Sequence, residues 1–394
     1  MTLKIIPYGR HFLDDSDIQA VVDVLRHGWL TQGPKVGEFE AAVAARVGVK
    51  FAVAVSSGTA ALHVACMAAG ISKGDTVITT PNTFVASANC AVYVGATPQF
   101  SDIDAETINL DPRKLADRCA VLKKVKAIIP VHFAGLPCDM PAIRKIANRY
   151  GSVVIEDAAH ALGAVYDDGK SVGSCAHSDM TVFSFHPVKI IATAEGGMVT
   201  TNSEALYRDL LRLRSHGINK ANDPFLHPEH AYTDGITNPW YYEMREIGFN
   251  YRITDVQCAL GLSQFEKLDR FLQRRRELAL RYDGIFSETP HITPTQRDGR
   301  SRSAHHLYPV RIDFEAVGRS RASFMRELLA RNIICQVHYI PVHYHPFYRA
   351  NGHRNDSFLV AERYYEQAVS LPLYYALSDE DQDYVAAQVK SLLA

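Results

Sequence analysis

The stretch FAVAVSSGTAALHVACMAAG, residues 51–70, begins as a strand and ends as a helix. Phe51 to Val55 form a short, wholly apolar run that stops at the turn residues Ser56, Ser57 and Gly58. A run of that length, closed by turn residues, suits a strand buried on both faces. The Ala-rich segment that follows favours helix. The alternation recurs in DTVITT (75–80), FVASANCAVYVGA (84–96), KAIIPVHF (126–133), PAIRKIANRYG (141–151) and VVIEDAAH (153–160). Buried strands alternating with helices predict an α/β fold with a mostly parallel sheet covered on both faces.

At 394 residues the chain is long enough for two domains. A long helical pattern from Asp255 to about Tyr282 breaks the alternation. HHLYPVRIDF, RASFMRELLARN, IICQVHY and AERYYEQAVS then suggest a smaller α+β unit. The expected division is a large domain over 1–283 and a small C-terminal domain over 284–394. Residues 219–240 form the expected long loop. Near the start, Ser16 and Gln19 suggest a capping box, with Ile18, Val21, Val22 and Leu25 on one helix face.

The formal net charge is −1 and no basic run stands out, which argues against a nucleic-acid or anionic-membrane partner. There is no apolar span of membrane length, and MTLKIIPYGRHFLDD lacks the apolar core of a signal peptide. The seven cysteines are scattered without a C-x-x-C pair, the pattern of reduced cytoplasmic thiols.

Ligands of open parallel sheets sit beyond the carboxyl ends of the strands. Three loops at such ends carry distinctive chemistry. Ser57, Gly58 and Thr59 can offer hydroxyls and free N–H groups to an anion at a helix start, or can simply cap the helix. Asp157 ends a nearly all-apolar strand, where its carboxylate needs a cationic partner, either an arginine or a ring nitrogen. Lys189 lies among Val188, Ile190 and Ile191 in SFHPVKIIATAEGG, five residues after Ser184. A lysine so placed either snorkels to water or becomes an amine of lowered pKa, fit for a Schiff base. Phe84 can stack on a flat ring or belong to the core. Together the four elements supply what pyridoxal 5′-phosphate requires: a held phosphate, a stacked ring, a protonated pyridine nitrogen and an amine.

The motifs SSGTAALH, TTPNTFVASAN, EDAAHALGA, SFHPVKIIATAEGGMVTT, RSHGI and GFNYRITDVQCALGLSQ resemble those of the DegT/DnrJ/EryC1/StrS sugar aminotransferases. These are fold-type I enzymes dependent on pyridoxal phosphate, and the likeness covers essentially the whole chain. WLTQG, HLYPV, QVHYIPVHYHPFY and AVSLPL resemble the branch acting on UDP-linked 4-keto-6-deoxyhexoses in pseudaminic acid biosynthesis.

The resemblance implies that Lys189 is the Schiff-base lysine, Asp157 the partner of the pyridine nitrogen and Phe84 the stacking residue. Ser57, Gly58, Thr59 and Ser184 would hold the phosphate, and His160 would lie beside the ring. Asn250 would reach the cofactor of a second subunit, making the unit a homodimer with shared sites. Tyr8, Gly28, Trp29, Leu30 and Thr31, with Asn332, Ile333, Ile334 and Cys335, would line the nucleotide-sugar side. L-Glutamate is the implied amino donor. Relatives that dehydrate sugars carry histidine where Lys189 stands, which favours transamination here.

GDP- or dTDP-linked sugars are alternatives, because spacing does not reveal the nucleotide. A non-catalytic protein binding pyridoxal phosphate is a further alternative, although the catalytic set is complete. So is a zinc site at His338, His343 and His345, although H-x4-H-x-H matches no common zinc motif.

Overall fold

The computed structural model describes residues 5–220 and 223–394. Helix α1 (Asp15–His27) leads to α2 (Pro34–Val47) and then to the alternating core of the large domain. Its strands are β1 (Phe51–Val55), β2 (Thr76–Thr79), β3 (Thr97–Phe100), β4 (Ala127–Ile129), β5 (Val153–Asp157), β6 (Met180–Ser184) and β7 (Gly197–Thr201). Between and after them run α3 (Gly58–Ala68), α4 (Ala86–Tyr93), α5 (Pro112–Leu122), α6 (Met140–Tyr150) and α7 (Glu204–Leu213). The strands form one seven-stranded sheet in the order β1-β7-β6-β5-β4-β2-β3. β2 to β6 pair in parallel, while β7 runs antiparallel to both of its neighbours. One apolar cluster covers each face of the sheet.

Period-two alternation along β5 sorts its side chains between those two clusters. Val154 packs with Phe183 and Ile143 on one side, and Ile155 with Ala61 and Cys90 on the other. Glu156 is fully buried in the fold. It accepts from Tyr166 Oη at 2.7 Å and Thr181 Oγ1 at 3.0 Å, and also from Ser178 Oγ. His132 Nε2 lies 2.7 Å from the carboxylate, and His132 Nδ1 accepts the Cys138 N–H at 3.1 Å. Burial alone would raise the Glu156 carboxyl, but the hydrogen bonds from His132, Ser178 and Tyr166 outweigh it and hold the group below its ordinary value.

The long helical pattern resolves into two helices, Asp255–Glu266 and Leu268–Phe286. Leu268, Phe271 and Leu272 of the second helix pack in the large core, whereas Leu278, Ala279, Tyr282 and Phe286 pack in the small one. The expected boundary at 284 therefore falls inside a helix shared by both cores. The small core surrounds an antiparallel sheet of Ile292–Pro294, Tyr308–Ile312 and Ala368–Leu371. From the other end of the chain, Ile6 is buried there and pairs with Ile333.

Three local readings are corrected. The cap of α1 is Asp14, which forms its box with Asp17 rather than through Ser16 and Gln19. A carboxylate accepts the first-turn N–H groups and is further drawn by Lys267, whose ammonium contacts both Asp14 and Asp17. The expected apolar face is not buried in this chain: Ile18 and Leu25 are more than half exposed, and Val24 and Asp17 face inward. The 219–240 stretch is not loop throughout. It holds a short helix, Pro228–Ala231, and a hairpin of Tyr232–Thr233 with Ile236–Thr237. Ala221 and Asn222 lie outside the described residues.

All seven cysteines are buried and free. Among the described residues no helix is long and apolar enough to cross a membrane.

The Glu156 cluster generates a stability prediction. Glu156→Leu strands the His132 Nε2 and the Tyr166 and Ser178 hydroxyls in a dry site, and should lower unfolding stability by about 3 kcal/mol or more. Urea denaturation of the cofactor-free protein measures this. A loss below about 1 kcal/mol would show that the carboxylate does not hold the cluster together.

Candidate active site

A cavity of about 660 Å³ opens beyond the carboxyl ends of β1, β5 and β6. Ser57, Gly58, Thr59, Phe84, Asp157, His160, Ser184 and Lys189 all line it, as does Tyr8. The sheet order explains the convergence. β1 and β6 flank β7, and the loops leaving them meet at Gly197, the first residue of β7. A Cβ on Gly197 would run into the Ser57 carbonyl, and one on Gly58 would lie 2.8 Å from Ser184 Cβ. Glycine at both positions lets the phosphate-type loop and the end of β6 touch.

Ser57 is the cap of α3, with its Oγ accepting the Ala60 N–H at 3.1 Å. The capping and anion-holding readings therefore describe one residue, and the helix start faces the cavity with its positive end. Asp157 is fixed on both oxygens. Oδ2 accepts from Ser87 Oγ at 2.6 Å and Oδ1 from the Ala159 N–H at 3.1 Å. Ser87 is in turn 2.7 Å from Thr83 Oγ1. Because Ser87 donates to the carboxylate, Thr83 donates to Ser87. Sequence reading missed this pair, although Ser87 sits three residues after Phe84, one turn into the same segment.

Lys189 is partly buried in the cavity wall, and its backbone N–H closes a turn on the His186 carbonyl at 2.8 Å. Burial pulls its ammonium from 10.5 down to about 8, against the opposing attraction of Asp157. Phe84 is 58% exposed at the rim, with its ring centroid 6.3 Å from that of Tyr339. An exposed aromatic face at the rim of a cavity that also holds a carboxylate and an amine can take a flat ring. His160 Nε2 lies 3.1 Å from Tyr339 Oη, and its Nδ1 is buried without a partner among the described residues. Burial, with Lys189 and His338 adding to it, depresses His160 well below its ordinary value.

The small domain supplies the opposite wall through His306, Gln336, Val337, His338, Tyr339 and Ile340. None of these was singled out as a cavity residue from sequence, except His338 as a metal ligand. His338 Nδ1 is 2.8 Å from Ser370 Oγ and His343 Nε2 is 3.0 Å from Glu362, so the two rings engage separate partners. Among the described residues no three His, Cys, Asp or Glu side chains are grouped to hold a metal ion.

Other expected residues lie elsewhere. Asn250 is exposed, pairs through its backbone with Ser215, and does not line this chain's own cavity. Gly28 to Thr31 are also outside it, with Trp29 and Leu30 exposed and Thr31 bridging to Thr254. Ile333 and Cys335 are buried in the small core rather than turned to the cavity, because Ile6 pairs beside them and pins the segment. Asn332 forms the turn before it, and the Ile334 N–H donates to the Ile6 carbonyl at 2.9 Å.

The donor set fits a flat, phosphorylated pyridine. There is a helix start with hydroxyls for the phosphate, a doubly hydrogen-bonded carboxylate for a ring nitrogen, and an amine of lowered pKa.

Several known proteins are similar to this chain along its length. The chain is 43% identical to the spore coat polysaccharide biosynthesis protein SpsC of Bacillus subtilis, over 98% of this chain and 97% of that one. It is 37% identical to the UDP-4-amino-4,6-dideoxy-N-acetyl-β-L-altrosamine transaminase of Campylobacter jejuni, over 98% and 97% of the two chains. Helicobacter pylori PseC, an aminotransferase involved in the biosynthesis of pseudoaminic acid, superposes with a TM-score of 0.89 at 32% identity, over 99% of both chains. A putative sugar aminotransferase of Streptococcus pneumoniae, Spr1654, superposes in its PLP form with a TM-score of 0.86 at 30% identity, over 99% of both. The family profile matches residues 12–390, and the chain belongs to the DegT/DnrJ/EryC1/StrS aminotransferase family.

Proposed function

We propose that the protein is a nucleotide-sugar aminotransferase dependent on pyridoxal 5′-phosphate. It moves an amino group from L-glutamate to C4 of UDP-2-acetamido-2,6-dideoxy-β-L-arabino-hexos-4-ulose, in the cytosol, as a homodimer with shared sites. The observation that carries the reading is the meeting of Lys189, Asp157 and the Ser57–Thr59 helix start in one cavity. The sugar assignment draws on the Campylobacter and Helicobacter relatives. The second reading is another nucleotide-4-keto sugar, GDP- or dTDP-linked, since the chain is more identical to SpsC, whose name specifies polysaccharide biosynthesis and no particular sugar.

When bound, the cofactor supplies a carbonyl that reacts with amines and a pyridinium that withdraws electrons. The chain's residues do the rest. The start of α3 and Ser184 hold the phosphate. Asp157, fixed by Ser87 and the Ala159 N–H, keeps a proton on the ring nitrogen. With a pKa of about 8, Lys189 is uncharged in an appreciable fraction of molecules near neutral pH, so its amine can take the Cα proton of the donor. The decisive assay is product analysis with glutamate against UDP-, GDP- and dTDP-linked 4-keto sugars. Turnover of none of them would reject the reading.

Lys189→Ala should still bind pyridoxal phosphate through phosphate and ring contacts, but lose the absorbance of the lysine-linked cofactor and several orders of magnitude in rate. Asp157→Asn should keep the fold and lose most activity, since a neutral amide cannot hold the ring proton in place. Wild-type rates in either variant would sink the corresponding role.

The lowered pKa of Lys189 also predicts a pH dependence. Between about 8 and 10.5 the unfolded chain keeps the lysine proton and the folded chain does not, so stability rises with pH across that window. Below it, the partly buried charge costs its full penalty. Cofactor-free Lys189→Met should therefore be more stable than wild type at neutral pH, by something on the order of 2 kcal/mol after allowing for partial exposure. That advantage should shrink as pH climbs through the window. Thermal melts across the range check it, and a pH-independent difference would contradict it.

Asn250 tests the shared site. Mixing Lys189→Ala subunits with Asn250→Asp subunits leaves one intact and one doubly damaged site per mixed dimer, if Asn250 serves the partner's cofactor. Random exchange then restores roughly a quarter of wild-type activity. If exchange is confirmed by mass spectrometry and activity does not rise, Asn250 acts only within its own chain.

A further inference from the structure

Arg275 is 2% exposed and has no ion pair with a carboxylate among the described residues. It sits where the Leu268–Phe286 helix passes from the large core to the small one. Its Nη1 lies within 3.3 Å of the His305 carbonyl and 3.2 Å of the His306 and Leu373 carbonyls, and donates towards all three. Burial pulls the guanidinium down to about 10, so it remains charged at neutral pH. A buried cation without an anion is costly, and an apolar residue of similar size is often the more stable choice. The charge marks a place where three carbonyls have to be gathered.

What that clamp delivers is His306. Its N–H donates to the Ala134 carbonyl at 2.9 Å, in the turn after β4. Gly135 in that turn has φ +106°, and a Cβ there would lie 2.8 Å from the His305 nitrogen and 3.1 Å from the His160 oxygen. The 305–306 segment is thus fitted between a large-domain turn and the shared helix. The buried His306 ring lies 4.3 Å from the His160 ring, tilted by 39°, and both line the cavity. Nδ1 of each is buried without a partner among the described residues.

We propose that Arg275 and His306 are positioning residues of the active site: Arg275 fixes the His306 backbone, and the His306 ring sets the orientation of His160 in the cavity. The inference rests on the transamination reading of that cavity.

The electrostatics agree with the geometry. Burial first, then His160, Lys189, Arg275 and His338, all push His306 well below its ordinary pKa. Facing the pair, His338 is pulled to about 3 and the Tyr339 hydroxyl is pushed up, in both cases chiefly by burial, while Asp157 acts on Tyr339 and Lys189. Both imidazoles therefore stay neutral. Protonation would turn an accepting nitrogen into a donor and set a second cation beside Lys189. Losing Arg275 removes one positive charge and opens space for water, and both changes raise the pKa of His306.

Two measurements test the proposal. In the full-length protein without cofactor, carbon-13 histidine signals for His160 and His306 are assigned with His160→Gln and His306→Phe. In wild type neither should titrate above about pH 5.5. In Arg275→Met, His306 should acquire a midpoint above that value, and Arg275→Lys should restore the flat response. A flat response in folded Arg275→Met would overturn the clamp.

In the holoenzyme, His306→Ala should lower kcat about tenfold or more with KM for both substrates within about twofold. His306→Phe keeps the ring and should recover to within about threefold of wild type. Equal losses in the two variants would overturn a positioning role, since the nitrogen itself would then engage the reactants. These two variants also carry the test if Arg275→Met does not fold. A wild type that neither binds pyridoxal phosphate nor turns over glutamate would fail the functional reading instead, and would leave the histidine titration standing.

Discussion

The carboxylate of Asp157 at the end of β5 is the constraint around which the site is arranged. Such a group is costly inside a sheet unless every lone pair is met. Ser87 on α4 meets one oxygen and the Ala159 N–H the other. That requirement fixes the start of α4 against the end of β5. It also leaves Phe84, three residues before Ser87, at the open rim of the cavity. Asp157 in turn attracts the Lys189 ammonium and opposes the effect of its burial, which still lowers the amine to about 8.

Close approach of backbones does the remaining work in the large domain. β7 enters the sheet antiparallel between β1 and β6, so the loops of its two neighbours must turn over its first residues. Side chains at Gly58 and Gly197 would hold those loops apart. Without them, the start of α3 and the lysine loop share one wall, and the N–H groups and hydroxyls of one open into the same cavity as the amine of the other.

The small domain completes the cavity through a few segments that cross to the large one. Asn82 Oδ1 accepts the Tyr339 N–H at 3.1 Å, and Asp102 accepts the Val360 and Ala361 N–H groups at 3.1 and 3.0 Å. These buried large-domain side chains cap small-domain backbone. The ends of the large sheet therefore serve both as ligand wall and as anchor for the second domain.

The sequence by itself determined the alternating architecture, because strand and helix periods are local properties of apolar spacing. It also determined the chemical identities of Ser57, Asp157 and Lys189, because a charge inside an apolar run is visible without coordinates. It could not decide the face of α1: Ile18 and Leu25 have helical spacing, yet what lies against them is set by the packing of distant elements. Nor could it find Ser87, Arg275 or His306, whose partners are 70, 31 and 146 residues away along the chain. Ile333 and Cys335 look like any other short apolar run until Ile6 pairs beside them and turns them into the core. Spacing along the chain encodes which face a residue shares with its near neighbours. Only the fold decides which remote group arrives to meet that face, because long-range contacts depend on how whole elements pack rather than on the residues between them.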